Sequence, residues 1–176
     1  FKQDEKQLPQ YVDALMRLPA FLGLQRQNPL GIAFIAAVQF LLQRFSRKTL
    51  NFQAEVSAAD LFPGILLPGR SKAPKIDLVA LEENIPVAIF SIKWSIRHDR
   101  IGDITSECPA YKDAGRRLRR RLGYYVVTNE FDPSRLSKLL GDTCIDAVVH
   151  VKKELVTKVA NLDSRLERLM DLADLL

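Results

Sequence analysis

Apolar and polar positions recur in two registers along this chain of 176 residues, one helical and one of period two, and together they outline its elements. From Leu8 to about Leu24, Val12, Leu15, Met16, Phe21 and Leu22 predict a helix that is interrupted or restarted at Pro19. A second helix is predicted after Asn28, with Asn28 as N-cap, Pro29 at the first helical position and an end near Phe45. Its nearly continuous apolar surface, including Phe34, Ile35, Val38 and Leu41, implies deep burial or a dimer contact. A shorter helical pattern containing Glu55 is read between Leu50 and Leu61. The segment from Phe62 to Ala73 holds two Pro-Gly turns and reads as a loop. Its Arg70 and Lys72, with Lys75, can meet phosphates, although a solvated connector is the plainer reading.

The next stretch changes period. Ile76 to Leu81 and Val87 to Ser95 read as two strands joined by the polar turn Glu82 to Pro86, a hairpin. On the second strand Ser91 and Lys93 share one face, and Ala88, Phe90, Ile92 and Trp94 share the other. Pairing Leu81 with Val87 across a five-residue loop sets Asp77 opposite Ser91, so an aspartate and a lysine lie on one face of one sheet. A helix is then predicted to start near Gly102 to Ser106, pause at Pro109 and run to Leu122. A strand follows at Gly123 to Thr128, a helix capped by Asp132 and Pro133 runs to Leu140, and a further strand covers Cys144 to Val151. Val159, Leu162, Leu166, Leu169, Leu172 and Leu176 form an amphipathic stripe that predicts a last helix from about Leu155 to Leu176, packed on the core or on a second subunit.

Polar groups placed where a plain strand would carry apolar ones raise the question of chemistry. Metal-assisted hydrolysis needs a second carboxylate beside Asp77, and Glu107 supplies it from the predicted helix. The order is Asp77, thirteen residues, Ser91-Ile92-Lys93, thirteen residues, Glu107. Two carboxylates with a phosphate oxygen suit Mg²⁺, which prefers hard oxygen ligands and keeps several waters. Lys93 would then stabilise negative charge on a phosphate and orient or deprotonate the attacking water.

With these residues in that order, and with Arg97-His98-Asp99-Arg100 following the lysine, the chain resembles the PD-(D/E)XK nucleases. The resemblance is to type II restriction endonucleases of the NgoMIV-like and EcoRII-like branch, in which serine replaces the strand carboxylate and a helix glutamate takes over its role. It covers Asp77 to Glu107 well and the remainder only as fold. It implies an α/β restriction-endonuclease-like fold, with a central mixed sheet flanked by helices, in a single catalytic domain spanning residues 1–176. It implies a Mg²⁺-dependent endonuclease acting on double-stranded DNA at CCGG- or CCNGG-containing sites. The catalytic set is Asp77, Lys93, Glu107 and Ser91, with Asp77 and Glu107 as metal ligands, and Glu55 is either an outer ligand for a second ion or an ordinary surface glutamate. Arg97, Asp99 and Arg100 would read C·G pairs in the major groove, since arginine bonds guanine O6 and N7 and a carboxylate accepts from cytosine N4. They could instead form a charge cluster that pairs internally at a helix start.

Composition narrows the picture. Lys and Arg outnumber Asp and Glu by 26 to 21, a net charge of +5, which suits a polyanionic partner without proving one. The arginines among residues 116–121 spread around a helix and serve phosphates, solvent or a subunit surface equally well. Two histidines are too few for a His-based zinc or HNH site. Cys108 and Cys144 match no metal or redox spacing and are read as free thiols in a reducing compartment. Leu30 to Val38, the longest apolar stretch, is too short to span a bilayer, so no membrane partner is expected and a soluble prokaryotic cytoplasmic protein is. The first residue, Phe1, suggests a trimmed chain or a domain of a longer polypeptide. Cutting both strands of a duplex makes a homodimer the expected assembly. A repair or junction-resolving nuclease and an inert DNA-binding module are the alternatives.

Overall fold

The computed structural model describes residues 10, 29–69, 74–160, 162 and 166–176. Gln10 apart, the helix expected over Leu8 to Leu24 lies outside the described residues, as do its break at Pro19, the Asn28 cap, and the loop cations Arg70 and Lys72. Six strands form one mixed sheet in sequence order: β1 (Leu50–Ser57), β2 (Lys75–Glu82), β3 (Ile85–Lys93), β4 (Gly123–Thr128), β5 (Ala147–His150) and β6 (Leu169–Asp171). The first three pair antiparallel and the last four parallel. Parallel pairing requires crossovers that place helices on a face of the sheet. One face is covered by α3 (His98–Arg117), α4 (Pro133–Gly141) and α5 (Lys153–Ala160), and the other by α1 (Pro29–Phe45). Each strand therefore lies between two apolar layers, which is why Val126, Val127, Val148 and Val149 are all fully buried.

The helix α1 buries Phe34, Ile35, Val38, Leu41 and Leu42 against the sheet, with Phe34 edge-on to Trp94 at 5.2 Å. Burial explains that face, while Ile32 and Phe40 remain exposed on the other. The segment expected to be helical around Glu55 is instead β1, followed by the single turn α2 (Ala58–Leu61). Leu50, Phe52, Ala54 and Val56 alternate strictly with polar residues, and pairing along the whole of β2 outweighs any helical preference. The predicted last helix is also corrected. It ends at Ala160, and the later leucines belong to a 3₁₀ turn (Leu166–Arg168), β6 and a second 3₁₀ turn (Leu172–Leu175). Leu169 and Leu172 are fully buried at the parallel edge of the sheet, a non-local gain that helical spacing does not reveal.

The cysteines are not free. Cys108 on α3 and Cys144, in the loop before β5, form a disulfide with S–S 2.04 Å and Cα–Cα 6.1 Å. A sequence separation of 36 hides this contact, because packing of α3 over the sheet brings the two together. Free thiols therefore give no support to a reducing compartment. Among the described residues no helix is long and apolar enough to cross a membrane.

Candidate active site

The site begins with the β2–β3 hairpin. Glu82 pairs with Ile85 and Leu81 with Pro86, so the turn is the two-residue Glu83-Asn84, both in left-handed conformation (φ 50° and 65°), and not the five-residue loop expected. The register then shifts between Ala80 and Leu81, and Ala80 faces Ala88. Val87 is the extra residue of a β-bulge, next to Pro86, which has no N–H to give an interior ladder. Beyond the bulge Leu78 faces Phe90, so one further step sets Asp77 level with Ser91. The wrong turn and the unforeseen bulge compensate, and the expected alignment at the site holds.

At the open end of the hairpin the Asp77 carboxylate replaces ladder bonds. Its Oδ2 accepts the backbone N–H of Ile92 at 2.8 Å and lies 2.5 Å from Lys93 Nζ. The lysine side chain is 36% exposed and the aspartate 16%, so the pair sits at the mouth of a cleft rather than in the core. Glu107 approaches from above on α3. That helix starts at His98, a turn earlier than predicted, and continues through Pro109. It packs through Ile101, Ile104, Cys108, Tyr111 and Ala114, which fixes the face carrying Glu107. Gly115 allows close approach at the far end of the helix: a Cβ there would meet Leu122 Cβ at 2.6 Å.

A cleft of about 700 Å³ lies between hairpin and helix, and Asp77, Ser91, Lys93, Arg97, Arg100 and Glu107 all line it. Asp99 and Glu55 do not. Glu55, in left-handed conformation (φ 57°), pairs with Lys75 at 3.6 Å and is half exposed. Arg97 occupies the position just before α3 and forms a two-point contact with Asp99, Nε to Oδ1 at 3.1 Å and Nη2 to Oδ2 at 2.5 Å. Arg100 contacts Asp103 at 2.9 Å. The pairing with Asp99 raises the Arg97 pKa and lowers that of Asp99, through the hydrogen bond first and charge as well. Both arginines are at least half exposed, so these contacts can be exchanged for others.

Two residues with a part in the site carry no sequence signal strong enough to be noticed beforehand. Tyr124, on β4, is buried beneath the cleft, and its hydroxyl approaches the Ile104 carbonyl at 3.5 Å. Its pKa is pushed far above the usual phenol range, by burial first and then by the charges of Glu107, Tyr111 and Asp77. One neutral phenol thus feels both acidic groups. Glu130 is a buried carboxylate behind β3. Its Oε2 accepts the Ile96 N–H at 2.8 Å, the Ser95 hydroxyl at 3.3 Å and Arg135 Nη1 at 3.0 Å, while Oε1 accepts the N–H groups of Phe131 and Asp132. It fastens the link between Lys93 and Arg97. The one hint in sequence is an acid three residues before a helix start, a pattern that surface loops share.

Among the described residues no group of three or more His, Cys, Asp or Glu is gathered as a ligand cluster. Asp77 and Glu107 are nevertheless hard oxygen donors lining one cleft, and Glu107 Oε1 is a buried atom that accepts no hydrogen bond, the side chain being held by other contacts. That set fits Mg²⁺, for which one or two carboxylates suffice when substrate phosphate and water complete the shell.

No family model matches this sequence, and no curated protein matches it. Among solved structures it is similar to NucC of P. aeruginosa ATCC27853 in its cAAA-bound form, with a TM-score of 0.58 at 12% identity, covering 84% of this chain and 74% of that one. The chain has the PD-(D/E)XK restriction-endonuclease-like fold. In this restriction-endonuclease-like arrangement the antiparallel hairpin presents the acid and the lysine, and the following helix closes over them. At such low identity the likeness concerns the fold.

Proposed function

We propose that this chain is a Mg²⁺-dependent endonuclease acting on double-stranded DNA, and more narrowly a sequence-specific type II enzyme for sites containing CCGG or CCNGG. The observation that carries the nuclease reading is the convergence of Asp77, Ser91, Lys93 and Glu107 on one cleft, with Arg97 and Arg100 along its wall. The narrower reading rests on the Arg97-His98-Asp99-Arg100 segment following the lysine strand.

Asp77 and Glu107 would hold the ion, which when bound supplies Lewis acidity and a more acidic water. Asp77 accepts the Ile92 N–H, a bond that orients its carboxylate on the strand. Lys93 leaves Asp77 to meet the scissile phosphate, places its charge beside the developing negative charge and orients the attacking water. Ser91 adds a hydroxyl without charge at the position level with Asp77. Arg97 and Arg100 would exchange their aspartate contacts for guanine edges, and Asp99, released from Arg97, would accept from cytosine N4. Two such sites, one per protomer of a homodimer, would cut the two strands.

Plasmid cleavage with Mg²⁺ tests this. Discrete fragments sharing one sequence at their ends are expected. Cutting confined to branched substrates would replace the reading with a structure-specific nuclease, and binding without cutting would replace it with an inert module.

A further inference from the structure

Beyond the cleft, α3 ends in a second concentration of charge. Its terminus is a Schellman turn: Arg120 N–H reaches the Gly115 carbonyl at 3.0 Å and Arg119 N–H the Arg116 carbonyl at 2.8 Å. That turn needs a left-handed residue, a place ordinarily filled by glycine, and here Arg119 occupies it with φ 54°. Local strain of this kind is retained where it serves a function.

Cations at a helix end offset its dipole, which accounts for Arg116 and Arg117, and both already pair with Asp113 at 3.3 Å and 2.9 Å. It does not account for Arg119, Arg120 and Arg121. All three are exposed, and their side chains make no ion pair with any carboxylate among the described residues. With Lys112 and Arg116 they line a concavity of about 440 Å³. Its one acid, Asp146, is engaged by Lys112 and by the Tyr124 N–H at 2.7 Å. Parallel pairing of Ala88 with Gly123 and of Lys93 with Thr128 sets this basin at the end of the sheet away from the catalytic lysine. Five residues of strand separate the two ends, roughly 17 Å.

We propose that this basin is a second site for the phosphate backbone of double-stranded DNA, holding a segment other than the one in the cleft. Three adjacent like charges that pair with no carboxylate repel one another, since the nearby Asp146 is held by Lys112 and the Tyr124 N–H, and closely spaced phosphates are the partner that reverses this. The site is independent of catalysis, so its test is run without a divalent ion, where no cutting interferes.

Arg119→Gly separates a structural role from a binding one. Glycine suits the left-handed position, so melting temperature should rise, while removal of one phosphate contact should weaken DNA binding several-fold and reduce the salt slope by about 0.9. Arg120→Gln/Arg121→Gln should lower the slope by roughly 1.8 with unchanged melting. Titration of short duplexes of about one helical turn should give two per wild-type chain and one per chain for the triple Arg119→Gln/Arg120→Gln/Arg121→Gln variant. Equal duplex stoichiometry for the wild type and the triple variant, or an Arg119→Gly protein more stable yet unchanged in affinity and salt slope, would overturn the proposal. Loss of plasmid cleavage activity as a premise would leave these binding results standing.

Discussion

Lys93 Nζ and Asp77 Oδ2 lie 2.5 Å apart, and the same oxygen also accepts the Ile92 N–H. Asp77 would help to hold an ion, and Lys93 would then turn its ammonium from the carboxylate toward a phosphate. Lys93→Ala is expected to lower cleavage by a factor on the order of 10² to 10³, as loss of a charge-stabilising donor does. The pair is partly exposed, so stability should change by less than about 1 kcal/mol. Single-turnover cleavage and thermal melting check the two halves of this expectation.

Glu107→Gln keeps the shape of the side chain and removes its charge. Binding of Mg²⁺ measured by calorimetry without DNA should weaken at least tenfold, and chelation should abolish cleavage by the unaltered protein. An unchanged affinity would place the ion elsewhere.

Arg97→Ala should leave melting nearly unchanged, since its partner Asp99 is 59% exposed. Discrimination among sites differing at one C·G pair should fall by roughly 1–3 kcal/mol. Competition cleavage between matched and single-mismatch duplexes measures it.

Two buried groups near the Lys93–Arg97 link give the stability a pH dependence. His150 Nδ1 accepts the Lys152 N–H at 2.9 Å, so Nε2 carries the proton toward the Glu130 carbonyl at 3.0 Å. Burial holds the His150 pKa below its ordinary 6.5, despite hydrogen bonds and nearby carboxylates that favour the cation. For Glu130 burial works upward, but the N–H groups of Asp132 and Ile96 together with Arg135 outweigh it and hold the pKa below 4.5. In both cases the unfolded chain binds the proton more readily. The His150 contribution is complete above pH 6.5 and declines as the pH falls toward its folded value, and that of Glu130 declines further below 4.5. Melting temperatures between pH 7 and 5 should fall less steeply in His150→Gln than in the wild type.

Reduction of Cys108–Cys144 frees a loop of about 36 residues and should cost about 4 kcal/mol by the chain-entropy relation. Cys108 adjoins Glu107, so reduction should also slow cleavage. Melting and cleavage with and without a phosphine reductant report both effects.

The hairpin, the helix carrying Glu107 and the strand at Gly123 were legible in the sequence because each has a strong local period. The Asp132 cap was legible too, and its side chain accepts the Arg135 N–H at 3.0 Å. The segment around Glu55 reads as a short helix in sequence because its partner β2 is not visible there, and the structure makes it an eight-residue strand with Glu55 in left-handed conformation. The C-terminal leucines failed for the same reason: spacings of three and four suit a helix, and only the neighbouring β5 reveals Leu169 as an edge-strand residue. Cys108 and Cys144, like Tyr124 and Glu130, become meaningful through tertiary contacts that no spacing encodes. Asp77, Lys93 and Glu107 stand out in the sequence by their even spacing around Ser91-Ile92-Lys93, and the structure sets all three along one cleft. The opposing role of Asp99 as a partner for Arg97 was foreseen only as an alternative.

The bulge at Val87 decides which residue of β3 lies level with Asp77. Carried straight down from Leu81 opposite Pro86, the pairing would bring Asp77 level with Phe90, whose ring packs among the apolar residues under α1. A slip of the pairing by one residue would thus turn the aspartate toward the apolar layer under α1 while leaving every polar side chain in the sequence.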